Sequence, residues 1–226
     1  MNNVIVTIEG TEKPDEIIEI NAHYDTAGAI KGADDNGSGV ISMLEMMHVF
    51  SKSKPKRTIR FVFTDLEERG MHGSDFHAKS IQDKSEKVLA VFVIDMIGYA
   101  QIGDGQEFHR PKFVVEAGTG SSLMHKNKET YFKSAAIAQL LHYQHYKYMD
   151  RRTDLQIEFD GAMPNTSDLG SYWKHKVPGV LLASIYEDAH VNPGYHKSND
   201  TFHNYNLTFF EAVSYTHLTL PTKRIV

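Results

Sequence analysis

Cysteine is absent from the 226 residues, which removes both a disulfide framework and any thiolate metal site. Any metal ion must then be held by His, Asp and Glu side chains. No basic excess exists either: 24 Lys and Arg stand against 29 Asp and Glu, a net charge of −5 with the signs interspersed. A nucleic-acid binder needs a basic face, so a nucleic acid is not expected as a partner. No apolar run approaches the ~20 residues of a membrane-spanning helix, and a membrane is not expected as a partner either. There is no internal repeat. The N-terminus has no signal-peptide pattern and enters a strand pattern almost at once, which leaves room for a leader or N-terminal segment outside this sequence. What is present is 41% hydrophobic and 11% aromatic residues. That composition, over this length, can bury a substantial core and reads as one domain.

Strand-type runs occupy residues 4–8, 17–21, 58–64, 88–95, 112–116, 155–159 and 179–184. Several are too continuously apolar to face water on either side, so they are expected in a covered sheet. Helical spacing covers 39–51, with Val40, Met43, Leu44, Met47 and Phe50 on one side, and 130–149, with Phe132, Ala135, Ile137, Leu140 and Leu141. The expected fold is α/β, three layers (α/β/α) around a central, mostly parallel mixed sheet. In such sheets the ligand site lies beyond the carboxyl ends of the strands. Residues 53–56 and 104–111 read as surface loops. Residues 214–226, SYTHLTLPTKRIV, have no helical period and resemble translated read-through of a sequencing adapter. The domain is therefore taken as 1–213, with 214–226 as a non-native tail and the C-terminal helix as cut short.

Five strings place imidazole or carboxylate groups at strand ends or in tight loops: NAHYDT (21–26), GADDNGSG (32–39), TDLEERGMHGS (64–74), VFVIDMIGY (91–99) and NPGYHKSNDT (192–201). With 13 histidines, most must be surface or packing residues. His142, His145 and His175 are read that way, having no evident acidic partner. His23 differs because Asp25, two residues on, can accept its second ring N–H and so fix the tautomer of a metal-bound imidazole. His196 has Asp200 in the same loop.

The loop 32–39 could be only a Gly/Asp/Asn turn. It runs straight into a helix, however, so Asp34 or Asp35 can be aimed by a rigid element and bridge two ions. Glu67 and Glu68 could be a solvated acidic turn. Adjacent residues leaving a strand point to opposite sides, so one carboxylate can bind metal while its neighbour serves as a base. Asp95 closes an apolar strand, where an unpaired charge costs several kcal/mol, and a metal ion is one way to remove that penalty.

In order and spacing these strings resemble the di-zinc aminopeptidase family typified by bacterial leucyl aminopeptidase, over about residues 4–210. The resemblance implies a zinc-exopeptidase domain with two zinc ions per chain. Asp35 is then the bridging carboxylate, His23 and Asp95 complete one site, and Glu68 and His196 the other. It implies Glu67 as general base, moving a proton from water to the leaving amine, with Asp25 beside it in the catalytic set. It also implies a cis bond after Asp35, a peptide substrate with a free N-terminus, and a secreted or periplasmic setting. Met96, Leu182, Tyr186 and Tyr195 are candidates for a side-chain pocket, with a core role equally open for each.

Two departures bear on substrate preference. Ser167–Asp168 is followed by Leu169 where the family often has histidine, removing any substrate contact from that ring, and no tyrosine near Pro164 is placed to steady an oxyanion. Some relatives are carboxypeptidases or dipeptidases. Other readings are a glutaminyl cyclase, which uses a single zinc on this fold, and a non-catalytic binding module of the same scaffold. The oligomeric state is not legible.

Overall fold

Side chains alternate across a strand, so each strand sorts its residues between two layers. The computed structural model describes residues 2–99, 112–116, 127–148, 154–158, 166–184, 192–207 and 210. Its strands are β1 (Val4–Ile8), β2 (Lys13–His23), β3 (Arg57–Thr64), β4 (Lys87–Asp95), β5 (Lys112–Glu116), β6 (Asp154–Glu158) and β7 (Gly179–Ser184). They form one sheet in the order β1-β3-β2-β4-β7-β5-β6. Pairing is parallel except for β1 with β3 and β5 with β7. The helices are α1 (Gly39–Ser51), α2 (His72–Lys84), α3 (Lys128–Tyr148) and α4 (Asp168–Lys174).

One face of the sheet presents Ile18, Ile20 and Ala22 of β2, Ile59, Phe61 and Phe63 of β3, and Ala90, Phe92 and Ile94 of β4. Met43, Met46 and Phe50 of α1 and Ala138 and Leu141 of α3 cover it. Each Ile, Leu, Phe or Met among them, when fully buried, contributes about 1.5–3 kcal/mol of transfer free energy. The opposite face presents Val91, Val93, Leu181 and Ala183 to Ala78 and Ile81 of α2 and to Leu169, Tyr172 and Trp173 of α4. The result is a three-layer α/β/α fold.

That second face also carries the buried polar residues. Alternation puts Glu19, Asn21 and His23 of β2 there, with Arg60 and Thr64 of β3 and Asp95 of β4. Near its centre, Arg60 Nη2 donates to Glu19 Oε2 at 3.0 Å and Nη1 to Glu86 Oε2 at 2.6 Å, while His77 Nε2 meets Glu19 Oε1. Because β3, β2 and β4 lie side by side and parallel, their carboxyl ends open at one edge. His23 and Asp95 end there, and Glu67 and Glu68 follow β3 at the same edge.

The strands lie where the apolar runs put them, and β2 begins four residues earlier than expected. Its polar start is held by Glu16, which pairs with Arg57 and Lys87. Helices α2 and α4 were not expected, because α2 buries mainly small or polar residues, Gly73, Ser74, His77, Ala78 and Ile81, and α4 has only seven residues. Two helix faces also differ from expectation: Leu44 and Phe132 are exposed, while Met46 and Ala138 face the core. His175 does have an acidic partner, Asp75, at 2.9 Å, a hundred residues away in the chain. The loop at 104–111, Pro164, Tyr186 and the tail 214–226 lie outside the described residues.

Candidate metal centre

The centre starts from two strand ends. His23 closes β2 and Asp95 closes β4, on the same face of adjacent parallel strands, and His23 Nε2 lies 3.3 Å from Asp95 Oδ1. The loop after β2 carries Asp35 to the same point. Gly32 opens that loop with φ +58°, and a Cβ there would sit 2.3 Å from Thr26 Cγ2 and 2.6 Å from the Asp35 carbonyl, so only glycine fits. Asn36 staples the loop to the end of β4, donating to the Ile94 carbonyl at 2.8 Å and accepting from the Gly39 and Met96 N–H groups. The Asp35–Asn36 peptide is cis. Held this way, Asp35 turns Oδ1 to His23 Nε2 at 3.3 Å and Oδ2 to His196 Nε2 at 3.2 Å.

The turn after β3 supplies the remaining carboxylates. Asp25 accepts the backbone N–H groups of Glu67 at 3.0 Å and Glu68 at 3.2 Å, fixing the turn from below. Glu68 Oε2 then lies 3.1 Å from His196 Nε2. His196 sits at φ +55° on the turn following Asn192, its ring stacked on Tyr195 with centroids 3.9 Å apart. Leu66 and Met96, beside the carboxylate-bearing positions, are also left-handed; such backbone costs on the order of 1–3 kcal/mol per residue and marks sites where geometry is imposed.

Two candidate metal triads result, His23–Asp35–Asp95 and Asp35–Glu68–His196, sharing Asp35, with the ligand atoms of each within 4.8 Å of one another. Ligands bonded at ~2.0–2.2 Å around a tetrahedral ion stand ~3.3 Å apart, the spacing of the four nitrogen–oxygen pairs across Asp35, Asp95 and Glu68. Asp35 Oδ2, Asp95 Oδ1 and Glu68 Oε1 are buried and accept no hydrogen bond. Electrostatics agree with this fit. Burial, with the neighbouring Asp95, Asp168 and Glu68 charges, pushes the Glu67 carboxyl up to about 9 against the pull of His23. Burial and Asp35 push Glu68 up to about 8, and burial raises Asp95. Burial opposes charge on His23, yet Asp95, Asp25 and Asp35 together raise it well above the ordinary imidazole value. Carboxylates packed this closely need cations to stay ionised, and divalent ions among them reverse these shifts.

The cavity over the triads is about 250 Å³ and is lined by Glu67, Met71, Met96, Ser167, Leu181 and Tyr195 as well as by Asp35, Glu68, Asp95 and His196. Met96 and Tyr195 therefore line the cleft, whereas Leu182 is fully buried on the α1/α3 face and Leu181 takes its place. Met71 and Ser167 had no signal in the sequence that set them apart. Leu169 packs into the core beside Gly179, so a histidine at that position would also point away from the cleft. Asp25 stands beside His23 and also anchors the turn after β3. His23 Nδ1 meets the Asp25 backbone carbonyl at 3.1 Å, while the carboxylate, 3.6 Å away, is engaged with the Glu67 and Glu68 N–H groups. Burial alone would raise Asp25, but His23 and those N–H groups hold it below the usual carboxylate range.

Comparison with known proteins bears on this arrangement. The model of the family described as peptidase family M28 matches residues 3–220. A probable zinc metalloprotease of Pyricularia oryzae is 28% identical over 139 residues, covering 58% of this chain and 28% of that protein. Among solved structures, the LapA aminopeptidase of Legionella pneumophila superposes with a TM-score of 0.71 at 26% identity, over 97% of this chain and 53% of that one. A glutaminyl cyclase of Bacteroides thetaiotaomicron gives 0.74 at 17% identity over 98% of this chain and 77% of that one, a likeness of fold alone. The chain thus spans about a quarter of the fungal relative and about half of the Legionella structure.

Proposed function

Since the chain belongs to peptidase family M28, we propose that it is a two-zinc aminopeptidase, hydrolysing the first peptide bond of substrates with a free N-terminus. The observation that carries this reading is Asp35, whose two oxygens face two different histidines, each with a second carboxylate beside it. A single-zinc cyclase needs only one such set, so the peptidase reading is the better supported. His23, Asp95 and Asp35 would hold one zinc, and Glu68, His196 and Asp35 the other. When bound, such a metal pair supplies Lewis acidity that brings water's pKa toward neutrality and polarises a carbonyl oxygen.

The chain's own groups do the rest. Glu67 belongs to neither triad yet lines the cleft. It takes the proton of the attacking water and returns it to the leaving amine. Asp25 keeps Glu67 and Glu68 in register through their N–H groups. Met71 offers apolar surface to the N-terminal side chain, with the buried Met96 and Leu181 behind it, and the surrounding carboxylates favour a free amine over a blocked one.

The test compares a leucyl peptide with its N-acetylated form. Cleavage of the free peptide alone, abolished by a chelator and restored by zinc, is expected. Equal cleavage of both forms, or indifference to chelation, would contradict the proposal.

A further inference from the structure

We propose that Asp200, a member of neither triad, is the positioning residue that joins the two, by clipping the His196 turn onto the backbone that carries Asp35; the inference rests on the two-metal reading above. Asp200 is fully buried. Its Oδ2 accepts the backbone N–H groups of Asp34 at 3.2 Å and Asp35 at 3.1 Å, and its Oδ1 accepts the Asp34 N–H at 3.1 Å and the side-chain amide of Asn192 at 3.2 Å. The same Asn192 amide donates to Asp34 Oδ2 at 2.9 Å. Asn192 and Asp200 are the two ends of the turn that bears His196. The turn closes tightly enough that a Cβ on Gly194 would lie 2.8 Å from the Asp200 backbone.

This clip is needed because of where His196 sits. Its side chain is 43% exposed, against 2% for His23, and its stacking partner Tyr195 rides on the same turn. His23 and Asp95 are fixed by neighbouring strands. Asp35 has further anchors through Asn36 to Ile94 and through Ser38, which donates to the Asp34 carbonyl. Only the His196 side of the centre depends on an exposed turn, and Asp200 ties the foot of that turn to the bridging residue. An amide at position 200 has nearly the same shape, but it turns an NH₂ toward incoming N–H donors and must break part of the clip. Supporting hydrogen bonds of this kind change metal affinity by about 10–100-fold.

The experiment is zinc binding by equilibrium dialysis in zinc buffers, for wild type, Asp200→Asn, His196→Ala and the double variant. Wild type is expected to bind two zinc ions. Asp200→Asn should keep one at wild-type affinity and bind the second about 10–100-fold more weakly. The double variant should match His196→Ala, since Asp200 acts through His196. Equal weakening of both ions, an unchanged second ion, or a further loss in the double variant would overturn the proposal. If Asp200→Asn does not fold, Asp200→Glu decides: it keeps the charge but adds a methylene that displaces the carboxylate from the Asp34 and Asp35 N–H groups, so it must still weaken the second ion, and unchanged affinity overturns the inference. Fewer than two zinc ions on wild type would instead overturn the two-metal reading, and this inference with it.

Discussion

Replacing Glu67 by glutamine separates catalysis from metal binding. The substitution keeps shape and volume, and it leaves untouched the backbone N–H that Asp25 holds at 3.0 Å. Glu67 is in neither triad, so both should still fill with zinc. A neutral amide accepts no proton from water, and loss of general-base catalysis costs about 10²–10⁴-fold in rate, or about 2.7–5.4 kcal/mol of transition-state stabilisation at ~1.36 kcal/mol per decade. Glu68→Gln provides the contrast. Its Oε2 lies 3.1 Å from His196 Nε2, within a triad, so that variant should lose affinity for one zinc as well as rate. The assay measures kcat on a leucyl peptide at saturating zinc, with zinc content on the same samples. A Glu67→Gln enzyme within tenfold of wild type, or one that has lost zinc, would refute the assignment of Glu67 as base.

Other outcomes can be checked away from the chemistry. Arg60→Met should destabilise the fold by about 1–3 kcal/mol, because it takes the guanidinium from Glu19, wholly buried, and leaves that carboxylate with His77 as its charged partner; a loss below about 0.5 kcal/mol in urea unfolding would contradict this. Lys87 and Arg57 hold the Glu16 carboxyl down from 4.5 to about 2. Its stabilisation is therefore complete above pH 4.5 and fades as pH falls toward 2, and Glu16→Gln should flatten the stability profile in that window; parallel profiles would contradict it. Chelation should lower the melting temperature of the purified protein, since each zinc present at 100 times its Kd adds about 2.7 kcal/mol to the folded state. An unchanged melting temperature would show that no metal binds the folded chain tightly.

The sheet and the strand-end residues were legible because their signal is local. An apolar run that ends in a charge, as at Asp95, is anomalous within nine residues, and GADDNGSG announces a tight loop entering a helix. What was not legible depends on distant partners or on which face a residue takes. Asp200 works on backbone groups 165 and 166 residues away. Leu181 and Leu182 both lie in a strand buried on both faces, so composition gives no way to decide which one faces the cleft. Helix α2 hid because helices are found by large apolar side chains, and it packs through glycine, serine and alanine. Spacing brings Asp25 beside His23, but nothing local shows that its carboxylate also reaches two N–H groups from a turn more than forty residues on.

The central claim is one carboxylate shared by two zinc ions, and the zinc content of purified wild type beside Asp35→Ala tests it most directly. Asp35 faces both histidines, at 3.3 and 3.2 Å, so its loss should impair both sites at once. The account predicts two zinc ions per wild-type chain after dialysis and fewer than one per Asp35→Ala chain. Wild type with no zinc, or an Asp35→Ala variant that retains both ions, would contradict it.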